Sequence, residues 1–370
     1  MARMSKIEWT NETWNPTTGC DRISPGCGLP IRGRDDQPHG TCYALTMAKR
    51  LQAMGNPSYT TDGDPTTSGP GFGVAMHERM LDAPKHFAKP SMVFVDSMSD
   101  LFHPEITDEF IDSVWDVMAA CPQHTFQILT KRPQRMREWV LHRAGRMVGA
   151  DLRPTDQFAN VDGVLTALEP GASRLATKLA LPNVWLGVSI ESDAYTWRAN
   201  YLRDTPAAVR FISAEPLLGP LPSLDLDRID WLIVGGESGP GARPMHPRWA
   251  RDLRDACLYR PEPCEIPDVP KPHSVGVPGG GRACACEYTA PVAFFYKQHG
   301  AWRPIAPKSA RQYSHVGHVN PDGSWYEAGR PGPYQPGAQM VARVGKGKAG
   351  RDLDGRTWDE YPPTRETSSA

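Results

Sequence analysis

The sequence predicts an α/β protein built on a full or partial (β/α) barrel of about six parallel strands. Short, nearly continuous apolar runs recur along the chain, helical patterns separate them, and polar or charged residues follow each run. Apolar strands that alternate with helices are typical of a parallel sheet buried on both faces. In a barrel, as in a doubly wound sheet, the carboxyl ends of such strands line the ligand site.

Six apolar runs are the predicted strands, and they lie within residues 91–102, 125–133, 183–192, 209–219, 229–244 and 292–300. A shorter run around Ile7 and Trp9 is a candidate first strand. Between the runs, residues 107–121 have helical spacing with Thr107 as the N-cap. A second helix is expected through Met136 and Trp139, and a third from about Trp249 to Cys257.

The domain organisation predicted from this rhythm is one barrel-like domain over residues 1–338, followed by a polar tail over residues 339–370. Two stretches interrupt the rhythm. Residues 145–181 are weakly patterned, and residues 258–291 form an insertion rich in proline and glycine. Insertions of this kind fall on loops rather than within the sheet.

Composition excludes several classes of function. Lys and Arg number 41 against 42 for Asp and Glu, so the chain lacks the basic excess that drives non-specific DNA binding. No apolar run reaches the roughly 20 residues of a membrane span, and the N-terminus lacks a signal-peptide pattern. We therefore expect a cytoplasmic protein without a membrane partner. In that compartment eight cysteines are metal ligands or buried thiols more often than disulfides.

Residues 14–44 place three cysteines in a loop rich in glycine and proline. Cys20, Cys27 and Cys42 have the spacing C-x6-C-x14-C, and a helical pattern begins after the third. Three thiolates suit a [4Fe–4S] cluster that keeps one iron open for another ligand. The alternatives are a zinc site completed by His39, since structural zinc takes four ligands, and three reduced thiols without a metal.

A second group of cysteines lies at and within the insertion. Cys257, Cys264, Cys284 and Cys286 are spaced C-x6-C-x19-C-x-C. This set is a candidate for Zn²⁺ or an auxiliary cluster, because a bound metal stabilises segments with few apolar residues. The alternative is that Cys257 belongs to the core.

A local basic cluster follows the second predicted strand and consists of Lys131, Arg132, Arg135 and Arg137. The two interpretations are contact with phosphate and a solvated start of a helix.

Ten short blocks resemble the three-Cys-motif phage-protein family, and they occur in order from about residue 6 to residue 362. The blocks are WNPTTGC, SPGC, TCYA, FVDSMSDLFH, TFQILTKRP, NVWLGVSIE, RFISAEPLLGP, WLIVGGESGPGARP, FFYKQHG and DGRTWDEYP. The three-Cys motif of that family is similar to the cluster loop of radical S-adenosylmethionine (SAM) enzymes. In those enzymes the usual spacing is C-x3-C-x2-C, so both gaps are longer here.

The resemblance implies a radical-SAM-like barrel that holds a [4Fe–4S] cluster on Cys20, Cys27 and Cys42 and binds SAM. The implied reaction is reductive SAM cleavage followed by hydrogen abstraction from a substrate such as a nucleobase, nucleotide or nucleic acid. It further implies location in the cytoplasm of a bacterium or a phage-infected host. The candidate cofactor-binding residues are those at the predicted strand ends, namely Ser189, Glu191, Ser213, Glu215, Gly235, Gly236, Glu237 and Lys297.

Two other classes of function stay open at this point. One is a non-catalytic zinc-binding phage protein that binds nucleic acid or a protein partner through the cysteine loop. The other is a hydrolase or transferase that works at the barrel rim without a metal.

Overall fold

The structure is a computed structural model that describes residues 5, 7–30, 40, 42–147, 180–258, 291–329 and 332–363. The strands of these residues are, in chain order, β1 (Glu12–Trp14), β2 (Thr17–Thr18), β3 (Ala75–Met76), β4 (Met92–Val95), β5 (Thr125–Thr130), β6 (Val184–Ser189), β7 (Val209–Ala214), β8 (Trp231–Gly235), β9 (Ala293–Gln298), β10 (Trp302–Pro304), β11 (Val316–Val319), β12 (Trp325–Glu327), β13 (Gln339–Arg343), β14 (Asp352–Leu353) and β15 (Arg356–Thr357). The α-helices are α1 (Tyr43–Ala53), α2 (Asp108–Ala120), α3 (Pro133–Met147), α4 (Arg198–Arg203), α5 (Pro247–Leu258) and α6 (Lys346–Ala349).

Seven parallel strands form the main sheet in the order β1-β4-β5-β6-β7-β8-β9. The end strands β1 and β9 are not paired with each other in this sheet, so the barrel is open. The predicted fold class is confirmed, as a partial barrel. The first strand, Glu12–Trp14, lies a few residues later than Ile7 and Trp9. Trp9 packs instead in an aromatic cluster on one face of the sheet.

The two faces of the main sheet bury different residues because side chains alternate along each strand. The outer face packs against the helices in the largest core cluster, which includes Trp115, Trp139 and Trp249. Helix α2 starts where the sequence predicts, since the Thr107 hydroxyl accepts a hydrogen bond from the Phe110 N–H. The inner face carries a separate cluster rich in aromatic residues, which we call the inner aromatic cluster: Trp9, Trp185, Phe211, Trp231 and Phe295.

A second, four-stranded antiparallel sheet, which the sequence pattern does not predict, has the order β10-β13-β11-β12. Its strands are short, and only a few inward residues such as Trp302 and Val341 are buried. The chain then returns to the main sheet, where Asp359 forms an antiparallel bridge with Phe295. This segment covers the free edge of β9, which would otherwise expose unpaired backbone groups.

Candidate metal centre and cofactor site

The three cysteines of the 14–44 loop belong to different local structures. Cys20 follows a backbone bridge between Gly19 and Ser99. Cys27 ends a single 3₁₀ turn, and Cys42 is the N-cap residue of α1. All three thiols are free and only partly exposed. They therefore form neither a disulfide nor a fully packed core.

The distance between the sulfurs bears on the kind of metal. A single tetrahedral zinc ion with Zn–S bonds of about 2.3 Å holds its sulfurs about 3.8 Å apart. Within the described residues, Cys20, Cys27 and Cys42 are not among the groups whose ligand atoms all lie within 4.8 Å of one another. At least one pair of these sulfurs therefore lies farther apart than a single zinc ion would hold them.

The charges around the sulfurs are unequal. Burial raises the pKa of Cys20 to about 12 and Asp100 adds to the rise, whereas the Arg132 guanidinium opposes it. Burial also raises the pKa of Cys42, and the N–H groups of Leu45 and Ala44 at the start of α1 oppose it. Both thiols are neutral at pH 7 without a metal. Metal binding at this loop would therefore release protons.

Lys131, at the end of β5, connects the cysteines to the inner face of the sheet. Its Nζ donates to the Ser189 Oγ at 2.9 Å. Burial disfavours the charged form of Lys131, but Cys27 and Cys42 as thiolates, together with the Glu191 carboxylate, outweigh burial and raise the pKa of the ammonium group. The cation consequently stays charged between the loop and the end of β6.

Glu191, two residues beyond β6, holds the middle of the loop. Its Oε1 accepts a hydrogen bond from the Gly26 N–H at 3.3 Å, and its Oε2 accepts one from Arg198 at 3.0 Å. Burial alone would raise the pKa of Glu191, but Lys131 and Arg198 lower it. Glu191 is thus ionised at neutral pH, with each oxygen bound to the chain.

A second buried ion pair holds the loop from the end of β8. Arg243 donates from Nε and Nη2 to the two oxygens of Glu237 at 2.8 and 2.7 Å. The same Nη2 donates to the Pro25 carbonyl at 2.9 Å. A Cβ at Gly40 would lie 1.9 Å from the Glu237 Oε1, so only glycine allows the loop to approach this pair. Pro25 and Gly40 of the loop therefore both lie against this ion pair.

The inner face of the sheet changes from aromatic to polar toward the carboxyl ends of the strands. Gly187 lies in the layer of the inner aromatic cluster, where a Cβ would approach the Phe211 ring to 2.5 Å. One layer higher, Ser189 is in register with Ser213, and both are buried. Hydroxyl groups therefore face the space between the aromatic layer and the cysteine loop.

Glu215 and Lys297 form the polar rim on the side of β7 and β9. The Lys297 Nζ lies 2.7 Å from Glu215 Oε1 and 2.8 Å from Oε2. Gly235 lies beside them, and a Cβ there would be 3.4 Å from both side chains. Gly236 is explained differently, since its Cβ would lie 2.2 Å from the His299 carbonyl. Packing of the chain against itself accounts for that glycine.

The structure thus brings most of the predicted site residues to one end of the sheet. Ser189, Ser213, Glu215, Gly235 and Lys297 surround the polar end of the inner face. Glu191 and Glu237 lie beneath the cysteine loop, paired with Arg198 and Arg243. These arginines were not predictable, because an isolated Arg in a loop or short helix has no pattern that reveals its partner.

Of the other predicted metal ligands, Cys257 alone lies within the described residues. Cys257 is buried on α5 within the main core, and burial raises its pKa. Cys264, Cys284, Cys286 and His39 lie outside the described residues. The second metal site therefore stays a prediction.

The basic cluster after β5 is largely structural. Arg132 lies 3.3 Å from Asp100, and Arg135 donates to the carbonyls of His103 and Ile106. Arg137 is buried. A solvated helix start does not describe these arginines, because the chain itself supplies their surroundings, and phosphate contact stays a prediction.

One further group could hold a cation, and it consists of Asp21, His103 and Glu105. The His103 Nδ1 accepts from the Glu105 N–H, which leaves the proton on Nε2, 2.9 Å from Asp21. His103 and Asp21 therefore form a direct hydrogen bond next to Cys20.

Comparisons with known proteins give a family and a set of distant structures. The family described as "Protein of unknown function (DUF5131)" matches residues 4–263 and 283–362. No curated protein matches the sequence. None of the helices in the described part of the chain is long and apolar enough to cross a membrane.

The solved structures that are similar to this chain include spore photoproduct lyase. A cysteine-to-alanine mutant with a dinucleoside spore photoproduct has a TM-score of 0.33 and 12% identity, covering 65% of this chain and 61% of the lyase. The lyase complexed with the same dinucleoside has a TM-score of 0.32 and 11% identity over 65% and 61%. The match thus spans about three fifths of the lyase.

Proposed function

Because the chain belongs to the family described as "Protein of unknown function (DUF5131)", whose description states no activity, we propose a function from the site itself: a radical SAM-like iron–sulfur enzyme. The observation that carries the proposal is the position of the cysteine loop. The loop contacts Arg132, Glu191 and Arg243, which follow β5, β6 and β8 respectively. It therefore lies at the polar carboxyl end of an open parallel barrel.

The residues of the loop fit a three-thiolate cluster. Cys20, Cys27 and Cys42 offer soft sulfur ligands, and Arg132 and Lys131 place positive charge beside them. A [4Fe–4S] cluster held by three thiolates carries a net negative charge, which nearby cations and N–H groups stabilise. With SAM bound, such a cluster would supply one electron for the reductive cleavage of SAM to methionine and a 5′-deoxyadenosyl radical, which would abstract a hydrogen atom from a substrate.

The strand ends below the loop would hold SAM. Ser189 and Ser213 offer hydroxyls to its polar groups, and Gly235 lets a ligand approach the backbone closely. Glu215 and Lys297 offer opposite charges on one rim. Gly236 would contribute only its backbone groups, because the His299 carbonyl leaves no room for a side chain at this position.

Glu191 and Glu237 have a different role in this proposal. Both carboxylates are already bound by arginines and by the backbone. We therefore assign them to positioning the cysteine loop, and leave the ribose of SAM to the serines and Glu215.

The inner face would bind the substrate. The inner aromatic cluster closes the sheet from below and excludes water, which suits radical chemistry. Lys131 and Lys297 are cations at the polar end, and cations of this kind bind phosphate. A nucleobase, nucleotide or nucleic acid is the substrate class we propose.

The experiment that tests this function is anaerobic reconstitution with iron and sulfide, followed by incubation with SAM and a reductant. We expect about four irons per protein, a brown colour and formation of 5′-deoxyadenosine. The variant with Cys20, Cys27 and Cys42 replaced by alanine should lose all three signals, whereas Cys121→Ala, outside the loop, should keep them.

Other results would favour the remaining functions. Stoichiometric zinc without a charge-transfer band would point to a zinc protein that binds nucleic acid or a protein partner. An activity that survives in the triple alanine variant would point to a rim enzyme that needs no metal at these cysteines.

A further inference from the structure

Arg132 makes a contact that holding the loop does not require. We infer that Arg132, fixed by Asp100, raises the reduction potential of the cluster through its hydrogen bond to Cys20. This inference rests on the proposed function and adds to it a residue that adjusts the cluster without being a ligand.

The geometry fixes the guanidinium beside one sulfur. The Arg132 Nη1 lies 3.4 Å from the Cys20 Sγ and 3.3 Å from the Asp100 Oδ2. The side chains of Arg132 and Asp100 are 13% and 7% exposed. The donor is therefore largely shielded from water. Its interaction with a charged sulfur is stronger in such surroundings than in solvent.

Asp100 cannot turn away from Arg132 without losing other partners. Its Oδ1 accepts from the Thr130 hydroxyl at 2.7 Å and from the Phe102 N–H at 3.1 Å. Its Oδ2 also accepts from the Lys131 N–H at 3.1 Å. This network fixes the carboxylate, and the carboxylate fixes the arginine.

The three cysteines receive different donors within the described residues. Cys20 receives a charged guanidinium. Cys42 is stabilised by the N–H groups of α1, and the Cys27 Sγ lies 3.8 Å from the Ser24 hydroxyl. The iron bound to Cys20 would therefore have the strongest donor at its thiolate.

A donor at a ligand sulfur favours the reduced cluster. Reduction adds one negative charge, part of which spreads onto the thiolates, so a hydrogen bond and a nearby positive charge stabilise the reduced form more than the oxidised form. Hydrogen bonds to the sulfurs are among the features that set the potential of iron–sulfur proteins. Removing Arg132 should make reduction harder.

The test is a redox titration of reconstituted protein without SAM, followed by electron paramagnetic resonance. Arg132→Met should shift the equilibrium about tenfold toward the oxidised cluster at a given ambient potential, which is about 59 mV for a one-electron couple. Arg132→Lys keeps the charge and should shift it less.

Arg143→Met is the matched control. Arg143 lies on α3, which follows Arg132, and pairs with the carboxylates of Asp112 and Asp116, away from the cysteines. Its loss changes net charge equally and should leave the potential unchanged.

Different results would refute the proposed function and the inference about Arg132. If the wild-type protein binds no iron, the proposed function fails and the inference with it. If wild type and Arg132→Met both bind about four irons and have the same potential, the inference alone is wrong. If Arg132→Met fails to assemble a cluster, Arg132→Lys decides: a potential equal to that of Arg143→Met refutes the inference, and one shifted in the same direction supports it.

Discussion

The buried pair of Glu237 and Arg243 allows a quantitative prediction about the cysteine loop. The perturbation is Arg243→Met, which keeps an apolar side chain of similar length and removes the guanidinium. The variant loses the two hydrogen bonds to Glu237 and the one to the Pro25 carbonyl. It also leaves the Glu237 carboxylate, with a side chain 6% exposed, without its cation.

The expected cost follows from that isolated charge. Removing one partner of a buried ion pair destabilises proteins by about 3 to 5 kcal/mol, which is a large part of the roughly 5 to 15 kcal/mol that holds a typical protein folded. The double variant Glu237→Gln with Arg243→Met has no isolated charge. It should be more stable than Arg243→Met alone.

The assay is urea unfolding of each variant, with iron incorporation measured in parallel. Arg251→Met is the control, since Arg251 pairs with Asp354 on the surface, where both side chains are about two fifths exposed; such pairs contribute about 1 kcal/mol or less. Arg243→Met should lose several kcal/mol and incorporate less iron than the control. A loss of under about 1 kcal/mol with full iron incorporation would refute the role we assign to the pair.

Three further predictions concern the scaffold. Burial raises the pKa of Asp96 to about 7, so between about pH 4 and pH 7 the unfolded chain ionises first and the folded protein loses stability. Asp96→Asn should therefore become progressively more stable than wild type over this range, by up to about 4 kcal/mol; an equal difference at pH 5 and pH 8 in urea unfolding would contradict this. Gly187→Ala places a Cβ 2.5 Å from the Phe211 ring and should cost about 1 to 3 kcal/mol, and adding Phe211→Leu should restore part of that loss in thermal unfolding. Trp358→Ala removes a buried ring from the segment that covers β9 and should speed proteolysis of the C-terminal segment at temperatures where the barrel stays folded; an unchanged cleavage rate would refute that anchoring role.

The main sheet was predictable because each of its longer strands is a short apolar run that can be recognised from the local sequence alone. Runs such as residues 183–192 are apolar on both faces, and only a parallel sheet covered on both sides buries them. The four-stranded sheet was not predictable in the same way. Its strands β10 and β12 have three residues each, too few to show a period of two.

The candidate site was predictable in position but only partly in its contacts. The polar residues after each strand had to meet at one end of the sheet, because parallel strands share their carboxyl ends. Which carboxylate faces a ligand depends on partners far along the chain. Arg243 reaches Pro25 across 218 positions, and a single sequence carries no record of such pairing.

The proposed function is tested most directly by the yield of 5′-deoxyadenosine from SAM by the reduced, reconstituted protein, compared with the triple alanine variant of Cys20, Cys27 and Cys42. We expect about four irons per protein and formation of 5′-deoxyadenosine from the wild type, with neither in the variant. A wild-type protein that binds about four irons and forms no 5′-deoxyadenosine with several reductants, or one that binds only zinc, would contradict it.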